Sequence, residues 1–233
     1  MDKTVNTVIY RLKQRRNSVR VKQSETYYPT ALRVLGVKVP DQREIVRWLR
    51  KEVKNWLPRD IIDLSIKLVE TGIYECQQVA YELLGKSNKL VGGLTREDLT
   101  ALATGLDNWA SVDAYSIYLY GIKWRQGIIS DNDVLDLAES DNRWERRVAI
   151  VSTVALNQKA HGGMGDADRT LMICEKVIDD RDDMVVKALS WALRELAKRE
   201  DQPVRKFMEE NDSRLAGRVC REVWNKLNTG KKN

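Results

Sequence analysis

Trp109 and Asp113 are the pair in this sequence best suited to do chemistry together. They stand at i and i+4, so on a helix they share one face. An indole offers a flat surface that attracts cations, and a carboxylate offers a fixed negative charge. An indole beside a carboxylate on one surface is not a typical core pattern. On spacing alone a plainer account stands ahead, with Trp109 in a core and Asp113 capping a helix or closing a salt bridge.

Other routes to chemistry are poorly supplied. The three cysteines, Cys76, Cys174 and Cys220, are widely spaced, and His161 is the single histidine. A structural zinc needs about four N or S ligands, so no metal site is expected. A Cys–His nucleophilic pair has only His161 to draw on, and that residue precedes Gly162-Gly163 in a loop-like stretch. Three buried thiols in a reducing cytoplasm account for the cysteines more simply.

Charge says more. Forty basic residues against 34 acidic give a net charge of +6, a modest excess that points towards a polyanion. Between Lys3 and Lys22 there are seven basic residues and no acidic one, so residues 1–26 read as a basic helix or arm. Arg43, Arg47, Lys51 and Lys54 recur at helical spacing and form one basic stripe, either a phosphate track or a solvated face. Trp48, Trp56, Trp124, Trp144 and Trp224 read as core or helix-contact residues. Tyr27 and Tyr28 read as packing residues that also suit stacking on a base.

The elements that must position these residues are helices. Apolar positions recur at helical spacing from end to end, and no run alternates as a strand would. The expected helices are Gln42–Leu57, a second over Ile61–Val69 with Pro58 at its first position, Tyr74–Leu84, Thr95–Leu102, Trp109–Trp124, Asn132–Ala138, Arg143–Leu156, Asp166–Ile178, Asp183–Lys198, Pro203–Glu210 and Ser213–Leu227. The segments around Val79-Ala80, Val148-Ala149 and Ala188-Leu189 share a polar–apolar–small pattern, and Arg147 to Lys187 spans 40 residues. That interval is near the helical-repeat period of about 40–47. The reading is one all-α domain over 1–233, a HEAT-like superhelix or α-solenoid, with residues 228–233 as a flexible tail. No run approaches the roughly 18–20 apolar residues of a membrane span, and no apolar segment of a secretory signal follows the early basic residues.

Two further segments sharpen the reading of Trp109 and Asp113. Asp107-Asn108-Trp109-Ala110-Ser111-Val112-Asp113 is followed by Asp141-Asn142-Arg143-Trp144-Glu145-Arg146-Arg147, and then by Lys187-Ala188-Leu189-Ser190-Trp191-Ala192-Leu193-Arg194-Glu195. In this order they resemble the motifs of the DNA alkylation repair family, the AlkD-like DNA glycosylases. Leu35-Gly36-Val37-Lys38-Val39-Pro40 resembles that family's entry to an early helix, although Val39 stands where some relatives carry a hydroxyl residue. The resemblance runs from about Leu32 to Lys198.

The resemblance implies a superhelix whose concave basic face holds duplex DNA, and hydrolysis of the N-glycosidic bond of cationic bases such as 3-methyladenine and 7-methylguanine. It implies a catalytic Asp113, with Trp109 and Trp191 beside the lesion nucleotide and Arg147 on the backbone. Lys187 and Arg194 flank Trp191 and join Arg43 and Arg47 as candidate backbone contacts. An alkylated purine already carries positive charge, so it leaves without a general acid, and one carboxylate suits the sugar cation that remains. No cofactor or metal is required, and no lyase lysine stands out. The expected partner is double-stranded DNA with alkylated purines, not a membrane, for a monomer in the cytoplasm of a bacterial or archaeal cell, associated with the nucleoid. Capture of the lesion with or without flipping is equally compatible with these residues. The alternative is a HEAT-like protein without catalysis that binds DNA structures or another protein.

Overall fold

A computed structural model describes residues 1–232. Among these residues every regular element is helical, and the one β-type pairing is an isolated parallel bridge between Arg33 and Ile73. The chain forms two compact units, Met1–Leu119 and the residues from Tyr120 on.

The first unit holds α1 (Asp2–Lys13), α2 (Ser18–Tyr27), α3 (Val39–Glu52), α4 (Pro58–Glu70), α5 (Tyr74–Gly85), the short α6 (Asn88–Gly92), α7 (Arg96–Leu102) and α8 (Trp109–Tyr115). Local chemistry sets their ends. Pro58 opens α4 at the position where a missing N–H costs nothing. Thr95 and Asp98 close a reciprocal capping box on α7, and Gly72 takes a left-handed φ of 63° after α4. α5 lies at the centre and packs on α3, α4 and α8. Val79, Ala80 and Leu84 of α5 are buried there.

The second unit holds α9 (Gly121–Arg125), α10 (Asp131–Ala138), α11 (Arg143–Asn157), α12 (Ala167–Lys176), α13 (Asp183–Leu196), α14 (Asp201–Asn211) and α15 (Gly217–Thr229). Helices α10/α11, α12/α13 and α14/α15 are successive pairs. The second members pack in a row, α11 on α13 and α13 on α15, and the first members do the same, α10 on α12 and α12 on α14. This is the construction of an α-solenoid, in which no pair buries its apolar face alone. α11 is buried on all sides from Arg147 to Asn157.

Most expected helices are present, with ends shifted by a few residues. Three differences stand out. The basic stretch is two helices, not one, because Val5, Val8 and Leu12 give α1 a buried face, and Asn17 then caps α2. The expected Trp109–Trp124 helix carries a π turn at Ser116–Tyr120, where the Ser116 hydroxyl donates to the Val112 carbonyl at 2.7 Å. The last helix begins at Gly217 rather than Ser213. Arg214 is drawn to Glu175 and Asp179, and its carbonyl accepts from Arg181 at 2.7 Å. The same helix runs to Thr229, into the stretch expected as a tail.

Candidate functional site

In the first unit, Trp109 and Asp113 project from the first turns of α8, and both are half-buried. A neutral polar network fixes that helix start. Asn108 is fully buried and caps α8 by accepting from the Ser111 amide at 2.9 Å. Its own amide donates to the Ser111 hydroxyl at 3.1 Å. The Ser111 hydroxyl donates to Gln77 Oε1 on α5, and Gln77 Nε2 donates to the Thr104 carbonyl at 2.9 Å. Every member is satisfied, so the network specifies one geometry instead of leaving a buried polar group unpaired.

The link between α2 and α3 is strapped against the same helix. Trp109 Nε1 donates to the Tyr27 carbonyl at 2.8 Å, and the Tyr27 ring meets the indole edge-on, with centroids 5.2 Å apart at 89°. Asp107 accepts from the Thr30 hydroxyl and from the Ala31 amide. Further along, the fully buried Glu75 of α5 accepts from the amides of Leu35, Gly36 and Val37 at 2.7–3.1 Å. Gly36 makes that curl possible. Its φ is 75°, and an added Cβ would fall 2.3 Å from the Asn17 carbonyl oxygen. Burial pushes the Glu75 carboxyl above its ordinary range, against the pull of those amides. The indole of Trp109 is thus held at its nitrogen, at its edge and through its helix.

Arg43 and Arg47 lie on α3 of the same unit and are exposed. Arg43 faces Glu82 at 3.8 Å.

In the second unit, Lys187, Trp191 and Arg194 share one face of α13 with Met184. Arg147 of α11 reaches the head of that face, where its guanidinium donates to the Met184 carbonyl. Arg147 is only 5% exposed, far more enclosed than a surface phosphate contact suggested by sequence. Lys187 pairs with Asp183 at 2.5 Å. Arg194 donates to the Ser190 hydroxyl at 3.2 Å and lies 3.5 Å from Glu222 of α15, which also accepts from Ser190 at 2.7 Å. Burial lowers the Arg194 pKa, opposed by Glu222 and Glu195. Trp191 is half-buried between these two charged groups along the helix.

Sequence reasoning missed the groups that hold these side chains, namely Gln77, Asp107, Asn108, Thr30 and the Tyr27 carbonyl in the first unit and Glu222 in the second. The Asn108-x-x-Ser111 spacing carried a readable cap signal. The long-range partners left none. Among the described residues no group of three or more His, Cys, Asp or Glu side chains is arranged to hold a metal ion.

Known proteins bear on this arrangement. The DNA alkylation repair enzyme family matches residues 8–227. The chain belongs to that family. The match takes in most of the basic stretch and the last helix, which the sequence motifs did not reach. A solved structure described as a predicted DNA alkylation repair enzyme from Enterococcus faecalis is similar in fold. It shares 20% identity, with a TM-score of 0.72 over 92% of this chain and 97% of that one. No curated protein matches the chain. Membership of the family supports a role for this chain in the repair of alkylation damage. Among the described residues, no helix is long and apolar enough to cross a membrane.

Proposed function

We propose that this DNA alkylation repair enzyme is a monofunctional glycosylase of base excision repair. It hydrolyses the N-glycosidic bond of cationic purines such as 3-methyladenine and 7-methylguanine in duplex DNA. The observation that carries the reading is the α8 face, where a half-buried carboxylate, Asp113, shares a surface with an indole whose nitrogen is tied to the Tyr27 carbonyl.

The chemistry follows from charge. The C1′–N bond breaks, and its electron pair neutralises the cationic purine, which needs no proton to leave. The positive charge passes to the deoxyribose, as in other glycoside hydrolyses. Asp113 stabilises that sugar cation and orients a water, which adds to C1′ and gives its proton to the carboxylate or to solvent. A preorganised carboxylate costs no reorganisation at the moment of bond breaking, and the network beneath α8 supplies the preorganisation. Trp109 offers an aromatic face worth about 0.5–2 kcal/mol to a nearby cation.

In the second unit, Trp191 is proposed as a nucleotide contact and Arg147, Lys187 and Arg194 as phosphate contacts. Arg43 and Arg47 take that role in the first. Arg147 is fixed by the Met184 carbonyl, so any phosphate it meets finds donors already ordered.

The test is base release from duplexes carrying 7-methylguanine or 3-methyladenine, followed by chromatography of the freed base. Wild type releases the base. Asp113→Asn loses about 10²–10³-fold in rate and keeps its affinity for the duplex. Retention of DNA by wild type without base release would sink the glycosylase reading, and a wild-type rate in Asp113→Asn would sink the role of Asp113.

A further inference from the structure

The first unit carries a run of cations that no protein group answers. Arg47, Arg50 and Lys51 of α3, Lys54 just after it and Lys89 of α6 have no ion pair or side-chain hydrogen bond among the described residues, and all five are exposed. Their neighbours are different. Arg59 holds Asp63 and Asp98, Lys67 holds Asp2, Lys86 holds Glu82, and Arg15 holds Glu44 at 2.9 Å. Glu44 is the one acid lining the hollow beside these cations, and Arg15 already answers it.

Arg47 and Arg50 lie one turn apart on the exposed side of α3, and Lys54 follows in the turn just beyond its end. Like charges at that spacing repel along the helix. The helix dipole favours Arg50 and Lys51, in the last turn, but its effect does not extend back to Arg47. The stripe therefore costs the folded state something that an external anion would recover.

The shape fits an extended anion. An open hollow of about 600 Å³ runs along Trp48, Arg47, Arg50 and Lys54. A second, of about 280 Å³, shares Arg50 and Lys54 and continues to Lys89 over a floor that includes Trp56, Pro58 and Leu83. From Arg47 to Lys51 the helix rise is roughly 6 Å, and Lys54 extends the row past the end of α3, enough to face about two successive phosphates of one strand. The floor between the cations is apolar, as the faces of deoxyribose require.

We propose that this surface is a second DNA contact, one that grips the sugar–phosphate backbone of undamaged duplex away from the lesion. It rests on the reading that duplex DNA is the substrate, and not on the role of Asp113. Helix α5 lies between α3 and α8. Two helix spacings put the contact roughly 16–20 Å from the α8 face, about five or six base-pair steps.

The experiment measures binding of wild type and Arg50→Gln/Lys54→Gln to an undamaged 20-base-pair duplex across a salt series. Lys3→Gln/Lys67→Gln, which loses the same charge elsewhere, serves as the control. The plot of log affinity against log salt should lose about 1.8 from its slope in the first variant. Affinity near 0.15 M salt should drop roughly tenfold or more, while the control stays near wild type. An unchanged slope would overturn the proposal. An equal drop in the control would reduce it to bulk charge and overturn it too. A loss seen on the single strand alone would remove the duplex as the occupant. Because the DNA carries no lesion, failure here leaves base release untouched, and failure of base release leaves this contact standing.

Discussion

Two buried carboxylates anchor the two candidate faces, and they do so in different ways. Glu75, behind the strap that meets α8, is fully buried and is held by backbone amides alone. Glu222, behind α13, is 8% exposed and is held by Ser190, Arg194 and Lys232. The first arrangement fixes backbone and brings no compensating cation. The second fixes a cationic side chain beside Trp191. The contrast follows the work proposed for each face. A region meant to stabilise a developing cation gains from a rigid frame with no fixed positive charge nearby, and a region meant to meet phosphate gains from cations held in place.

The sharpest way to break this comparison is to remove the backbone anchor. Glu75→Ala leaves three buried amides without an acceptor, at about 1–3 kcal/mol each when no water replaces it. The expected loss of stability is about 3–5 kcal/mol, read from urea unfolding of the intact chain. Base release should also fall, because the strap carrying the Tyr27 carbonyl would no longer hold the Trp109 indole. Loss of less than about 1 kcal/mol would mean the strap is held elsewhere.

Glu222→Gln tests the other side with a smaller effect. It strips Arg194 of its nearest counter-charge, yet Arg194 keeps Ser190 and partial access to water. The expected cost is about 1–2 kcal/mol. Base release from a saturated enzyme should change little, while the salt dependence of DNA binding should rise, because Arg194 gains freedom to meet phosphate. Slower release at saturation with no change in binding would assign Glu222 to the chemistry and dissolve the contrast.

Smaller again is Trp109→Phe. It keeps the aromatic face and removes the donor to the Tyr27 carbonyl, a bond of about 0.5–1.5 kcal/mol in a half-exposed setting. Base release should fall several-fold, with Trp109→Ala far worse. Equal losses in the two variants would show that orientation of the indole carries its whole contribution.

How much of this was legible in the sequence depended on the range of the interaction. Pro58 and the apolar periods are local, and they located most helices. The pairing of Trp109 with Asp113 was legible as spacing, and the ordered motifs gave it meaning. The enclosure of Arg147 was not legible, because its neighbour Arg146 has the same type and turns instead to Asp180 at 2.7 Å. Which of two adjacent arginines points inward is decided by α13, 37 residues further along, through the Met184 carbonyl. The π turn was equally hidden, since Ser116 bonds back to Val112 as Ser65 does to Ile61 and Ser152 to Val148 within regular α-helix.

The finest distinction between the two anchors is in their response to pH. Burial raises the Glu75 carboxyl, and the Leu35, Val37 and Gly36 amides only partly offset it. With a folded value above the unfolded one, the native state binds more protons than the unfolded chain between the two. Stability attributable to Glu75 therefore grows as pH falls through the folded value, and the gain is complete near the unfolded value of about 4.3. Other groups titrate in the same range, so the informative quantity is the difference between wild type and Glu75→Gln. Urea midpoints from pH 7 to pH 4.5 should show wild type pulling further ahead of the variant as the solution is acidified. A gap that narrows instead would mean that the three amides outweigh burial and hold Glu75 below its ordinary range. The backbone anchor would then behave like an ion pair after all, and the difference between the two faces would lie in geometry alone.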